Sequence, residues 1–180
     1  MELTKNIKES QILKNVLIAL IGTILLAVSS KIRIPFYPVP MTMQTFIVLA
    51  IGVTLGWRLG VATLALYLFE GIIGLPVFSG TPEKGIGFIY FTGPTMGYLI
   101  GFLFAAFFSG FFNYSKNMLT NFVKLAFSTS LIYIFGMLWL GHLIGWDKPI
   151  FGLGAQPFLL AELLKIILIT LAIPKLKRIV

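Results

Sequence analysis

The sequence predicts an all-α membrane protein, a bundle of six transmembrane helices. Composition is the first reason: of 180 residues 58% are hydrophobic and only 11% charged, with a mean hydropathy of +0.97. A soluble domain carries about 25% charged residues to solvate its surface. The second reason is punctuation, because Pro, Gly and charge clusters divide the chain into six apolar segments, each to be set against the roughly 20 residues of a helical span. The third is the missing alternative. No series of ten-residue stretches with alternating polarity suggests a barrel, and lipid leaves no other way to satisfy backbone N–H and C=O groups. By length the chain is a single transmembrane domain over 1–180.

The first span is expected over 16–30. The polar stretch Met1 to Lys14 precedes it, and no small-residue cleavage site follows, so it reads as a retained span. Ala19, Thr23 and Ala27 recur at four-residue spacing on it. Small residues so placed permit close helix approach, either inside a bundle or against a docking partner. The second span, 41–55, is short, as suits a helix starting inside the protein beneath a loop. Gly56-Trp57-Arg58 then forms a tight hairpin into the third span, 58–73. The fourth covers 94–112, the fifth 119–143 and the sixth 157–173. Pro94 falls at the first turn of the fourth, where a missing N–H is harmless.

Six spans put both termini on one side. Lys5, Lys8, Lys14, Arg58, Lys116, Lys124, Lys175, Lys177 and Arg178 share that side, against Lys31, Arg33, Lys84 and Lys148 on the other. The positive-inside rule therefore predicts a multi-pass protein of the cytoplasmic (inner) membrane with both termini cytoplasmic. The outer loops (31–40, 74–93 and 145–156) are longer and richer in Pro and Gly, like the mouth of a binding site. The net charge of +8 requires no nucleic acid, since anionic inner-leaflet lipids account for the tail Lys175 to Arg178.

Catalytic chemistry finds little material. There is no cysteine and one histidine, His142, so neither a thiolate site nor a metal centre is expected. No Gly-x-x-x-x-Gly-Lys-Ser/Thr phosphate loop is present. Glu162 and Lys165 are the exception to the apolar pattern, charges three residues apart inside the sixth span. On a helix they share one face. Each costs at least about 2.5–3.5 kcal/mol at mid-bilayer, so they are expected to face the interior, paired or touching a ligand. A purely structural ion pair is the alternative.

Four stretches add to this. Pro38-Val-Pro-Met-Thr-Met-Gln-Thr45 brings Gln44 into the second span, as a ligand-reading amide or a helix-start residue bonded to backbone. Gly71 to Gly80 turns the chain after Glu70, a pocket carboxylate or a group at the headgroup level. Thr81 to Gly87 carries Glu83 and Lys84, solvated by default. Gly93-Pro-Thr-Met-Gly-Tyr98 opens the fourth span. Tyr67, Tyr98 and Trp139 could wall a pocket or serve as interface and core aromatics.

These stretches resemble the BioY family, the biotin-binding S component of energy-coupling-factor (ECF) vitamin transporters. The family pattern resembles P-V-P-I-T-L-Q-T, G-L-P-V-F-A-G, G-P-T-G-G-Y-L-I-G-F, Y-x-x-G-x-x-W and P-F-x-x-G-D-x-x-K. The counterparts here are Pro38 to Thr45, Gly74 to Gly80, Gly93 to Phe102, Tyr133 to Trp139 and Pro157 to Lys165. Met96 and Ala161 replace glycines, Glu162 replaces an aspartate, and the loop Thr81 to Gly87 is longer. The resemblance implies a non-enzymatic S component without a cofactor of its own. Its partners would be a transmembrane coupling subunit and two ATPase subunits, which alone use ATP. Another vitamin, such as thiamine or riboflavin, and a solitary carrier are the alternatives. Because the first helix of the family docks the coupling subunit, the resemblance favours the docking role for Ala19, Thr23 and Ala27.

Biotin has a urea with two N–H donors and a carbonyl, an apolar thioether ring and an apolar chain ending in a carboxylate. Glu162 could accept from the urea and Lys165 meet an acceptor oxygen. Gln44 could read the urea edge, Lys84 or a loop N–H the carboxylate, and Tyr67, Tyr98 and Trp139 the walls.

Overall fold

The computed structural model describes residues 2–176, with side chains from Gln11 onward. Lys177 and Arg178 of the basic tail lie outside the described residues. The elements in order are α1 (Glu2–Lys31), β1 (Arg33–Ile34), β2 (Met41–Thr42), α2 (Gln44–Ile72), α3 (Met96–Phe111), α4 (Met118–Ile144), α5 (Ile150–Gly154) and α6 (Leu159–Ala172). Short 3-10 turns cover Gly87–Thr92, Gln156–Phe158 and Ile173–Lys175. Four stretches are long and apolar enough to cross a membrane: Gln11–Lys31, Gln44–Ile72, Met118–Ile144 and Ile150–Lys175. The bundle is helical, as composition requires.

Helix α2 contains a reversal. Gly56 has φ 72° and ψ 171°, a conformation that glycine adopts without steric cost. The two arms then run back against each other, and a Cβ built on Gly60 would lie 3.5 Å from Gly52 Cα. The first arm, residues 44–55, is only about 18 Å long at 1.5 Å per residue. It begins under the buried stretch Pro38 to Pro40. Arg58 closes the turn by stacking over the Trp57 ring at 5.1 Å.

Glycines set the helix spacing. A Cβ on Gly52 would strike Ser109 Oγ and lie 2.8 Å from the Ala106 carbonyl of α3. One on Gly101 would come within 2.6 Å of Ile132 Cα in α4. Where lipid is as apolar as a side chain, such close approach is what holds helices together. Met96, at a position where the resembling pattern has glycine, is partly buried at the start of α3. The close contact with α4 falls on the next residue, Gly97, against Phe135 and Trp139. Helix α3 starts at Met96 and not at Pro94, because Thr95 is its N-cap.

Helix α1 packs on α2, with Gly22 against Thr63. Ala19 and Thr23 are buried and Ala27 is half-buried. Ala19 and Thr23 of the small-residue stripe thus face the bundle, the first of the two readings the spacing allows. The outward face of α1 is Leu17, Ile21, Ile24, Leu25 and Val28.

Three features did not follow from hydropathy: the β1–β2 hairpin, in which Arg33 pairs with Thr42, helix α5 inside the loop expected at 145–156, and the 3-10 turn at Gly87–Thr92. They lie at the bundle end opposite the Gly56 turn and cap it. The cap is rigid because its carbonyls are taken. Lys31 Nζ donates to the carbonyls of Pro76 (2.8 Å), Phe78 (2.9 Å) and Thr81 (3.2 Å). Ser30 and Tyr67 donate to Val77 O at 2.8 and 2.9 Å. Tyr90 donates to Ser79 O at 2.8 Å, and the Lys84 N–H to Gly80 O at 2.8 Å. Every carbonyl from Pro76 to Thr81 has a donor, as a buried loop requires.

Gly52→Ala should lower the melting temperature in detergent, corresponding to about 1–3 kcal/mol for forcing a methyl into a filled contact. An unshifted melting curve would mean that α2 and α3 part there at no cost.

Candidate functional site

The site forms where the first arm of α2, the cap, α3, α4 and α6 converge. Glu162 and Lys165 lie one turn apart on α6, whose inner face they share, and are 4% and 6% exposed. Lys165 Nζ donates to Glu162 Oε1 at 2.7 Å, to Thr45 Oγ1 at 2.9 Å and to the Thr42 carbonyl at 2.6 Å. Those bonds use its three protons. Thr45 Oγ1 in turn donates to Glu162 Oε1 at 2.8 Å. Glu162 Oε2 has no hydrogen-bond partner among the described residues, although it is buried.

Glu162 lines a narrow cavity. Val39 to Thr42, Gln44, Thr45 and Ser79 line one side, and Tyr90, Tyr98, Leu99, Phe102, Ile132, Tyr133 and Phe158 supply most of the rest. The space open to the centre of a water-sized sphere is about 50 Å³. Pockets that hold small molecules run to roughly 300–1,000 Å³, so the walls must move apart for a larger ligand. The Tyr133 phenol lies beside the Glu162 carboxylate. Tyr98 presents its ring and anchors its hydroxyl on Gly154 O at 2.7 Å. Burial pushes the Tyr90 phenol above its ordinary range, so it stays a neutral donor to the cap.

The expected residues divide into three groups. Gln44, Tyr98 and Glu162 line the cavity. Lys165 and Tyr67 stand behind it. Gln44 Nε2 donates to the Tyr67 hydroxyl at 2.7 Å, so the fully buried Tyr67 orients the amide instead of walling the space. Trp139, Glu70 and Lys84 lie elsewhere. Trp139 donates to Gly93 O at 2.9 Å and lines a separate apolar groove with His142, Leu68 and Phe88. Glu70 is partly buried near the end of α2 and Lys84 is exposed on the cap. Thr45, Ser79, Tyr90 and Tyr133 were not singled out from sequence. Thr45, Ser79 and Tyr133 fell within quoted motifs, but nothing local marked Tyr90.

A family model described as the BioY family matches residues 3–180. The chain belongs to the BioY family. A probable biotin transporter BioY from Pyrococcus horikoshii is 32% identical over 152 residues, covering 84% of this chain and 89% of that one. The biotin transporter BioY of Thermotoga maritima is 32% identical over 159 residues, covering 88% and 92%. Among solved structures, the 2.1 Å crystal structure of the S-component for biotin from an ECF-type ABC transporter superimposes with a TM-score of 0.77 at 26% identity, covering 93% of this chain and 92% of that one. The helical bundle of this BioY-family chain is therefore of the S-component type.

Lys165→Met should destabilise the protein by about 3–5 kcal/mol, because Glu162 would be left charged and unpaired. Glu162→Gln together with Lys165→Met should recover most of that loss in a thermal melt. A double variant no more stable than Lys165→Met would mean that the two residues do not act as a pair.

Proposed function

We propose that this chain captures biotin on the outer face of the cytoplasmic membrane and delivers it inward as the substrate-binding subunit of an ECF-type transporter. In this reading both termini are cytoplasmic. A transmembrane coupling subunit and two ATPase subunits supply the ATP-driven step, and the chain itself needs no cofactor. The observation that carries the proposal is the unpartnered Glu162 Oε2 in a cavity with apolar and aromatic walls. A buried carboxylate oxygen without a donor is costly, and a urea N–H is the donor that biotin supplies. Membership of the BioY family and the likeness to a biotin S-component support the same ligand.

Each residue then has a role. Glu162 accepts from the urea, and Lys165 holds the carboxylate in place while keeping the pair electrically neutral. Gln44, oriented by Tyr67, offers an amide at the rim, and Tyr98 and Phe158 enclose the apolar rings. Neutrality speaks against a cationic vitamin, which would gain no net charge attraction here.

Labelled biotin should bind the purified chain in detergent, with lipoate and thiamine failing to displace it. Glu162→Ala should weaken binding by about 2–5 kcal/mol, the scale for truncating a buried charged partner, Glu162→Gln less, and Glu162→Asp least. Displacement by thiamine, or full affinity in a folded Glu162→Ala protein, would sink the assignment.

Orientation has its own test. Cysteines placed at Lys84 and Asp147, both exposed, should react with an impermeant reagent in intact cells. The motive is the excess of Lys and Arg on the side of the termini. Labelling only after permeabilisation would reverse the direction of delivery.

A further inference from the structure

Among the described residues three buried polar side-chain atoms have no hydrogen-bond partner: Asn15 Oδ1, Ser79 Oγ and Glu162 Oε2. Ser79 and Glu162 line the same cavity. Ser79 is 4% exposed, so water on the outer surface does not satisfy its hydroxyl. Nor is its position loose. Its carbonyl is held by Tyr90 at 2.8 Å, and Lys31 ties down the carbonyls of Phe78 and Thr81 around it.

The two atoms differ in chemistry. An ionised carboxylate oxygen only accepts, whereas a serine hydroxyl can donate. Both residues line one space of about 50 Å³, small enough for a single polar group to serve both. A ligand carboxylate has no proton to donate to Glu162 Oε2, and an apolar group would leave both atoms unpaired. What fits is a neutral group with an N–H beside a carbonyl oxygen.

We propose that Ser79, where the resembling pattern has alanine, is an additional ligand contact of this chain whose hydroxyl donates to the urea carbonyl of the ligand while Glu162 Oε2 accepts the neighbouring N–H. This rests on the reading that the ligand is biotin, and it fixes which end enters. The urea lies innermost between α6 and the cap, and the carboxylate chain points toward the mouth.

The test compares native chain, Ser79→Ala and Ser79→Cys for binding of biotin and of biotinamide, whose neutral amide replaces the chain carboxylate. Ser79→Ala should weaken both ligands about 3- to 10-fold, by the same factor, as for loss of one hydrogen bond. Ser79→Cys, a weak donor of similar size, should fall between. Melting curves matching the native chain separate this from a folding defect. Native affinity in Ser79→Ala or Ser79→Cys overturns the proposal. So does a loss seen with biotin but absent with biotinamide, which would place Ser79 at the carboxylate end. Failure of the native chain to bind biotin at all would instead overturn the functional reading beneath it.

Discussion

No buried polar group of this bundle can look to lipid for a partner, and most of the architecture follows from that constraint. Lys165 spends its three protons on Glu162, Thr45 and the Thr42 carbonyl. The segment Pro76 to Thr81 lies against the bundle with each carbonyl bonded, three of them by the single ammonium of Lys31. An unmade hydrogen bond in such surroundings costs about 1–3 kcal/mol. Against so complete a pairing, two unpaired atoms on one cavity acquire meaning.

The ion pair is best understood as a positioning device. Bonded through Oε1 to Lys165 and Thr45, Glu162 holds Oε2 at a fixed point of the cavity wall. Because Lys165 is fully occupied, the polar groups on the cavity wall include Glu162, Gln44 and Ser79 but no free ammonium. Aromatic side chains serve the same end at one remove. Tyr67 steers the Gln44 amide, and Tyr90 secures the backbone that carries Ser79.

Helix packing decides which groups meet. Gly52, Gly97 and Gly101 let α2, α3 and α4 approach until backbone meets side chain, drawing Tyr98 and Tyr133 toward α6. The same packing accounts for Ala19 and Thr23. Their small side chains are spent on the α1–α2 contact, leaving the larger apolar residues of α1 on the outside.

By itself the sequence determined the helical class, the reversal at Gly56 and the burial of Glu162 with Lys165. Each rests on local physics: hydropathy over a span, the φ freedom of one glycine, and the i, i+3 geometry of one helix. It also marked Gln44 and Tyr98 through motifs at helix starts. Only the tertiary structure decided that Lys165 and Tyr67 stand behind the cavity, that Trp139 lines a separate apolar groove, and that the small-residue stripe faces inward. Hydropathy cannot separate a face toward lipid from a face toward another helix, since both neighbours are apolar. Ser79 fell within a quoted motif, but its place on the cavity was beyond local reach for a related reason. Its place depends on Lys31 and Tyr90 folding the cap over α6, and contacts that distant in the chain leave no periodic trace near the residue they position.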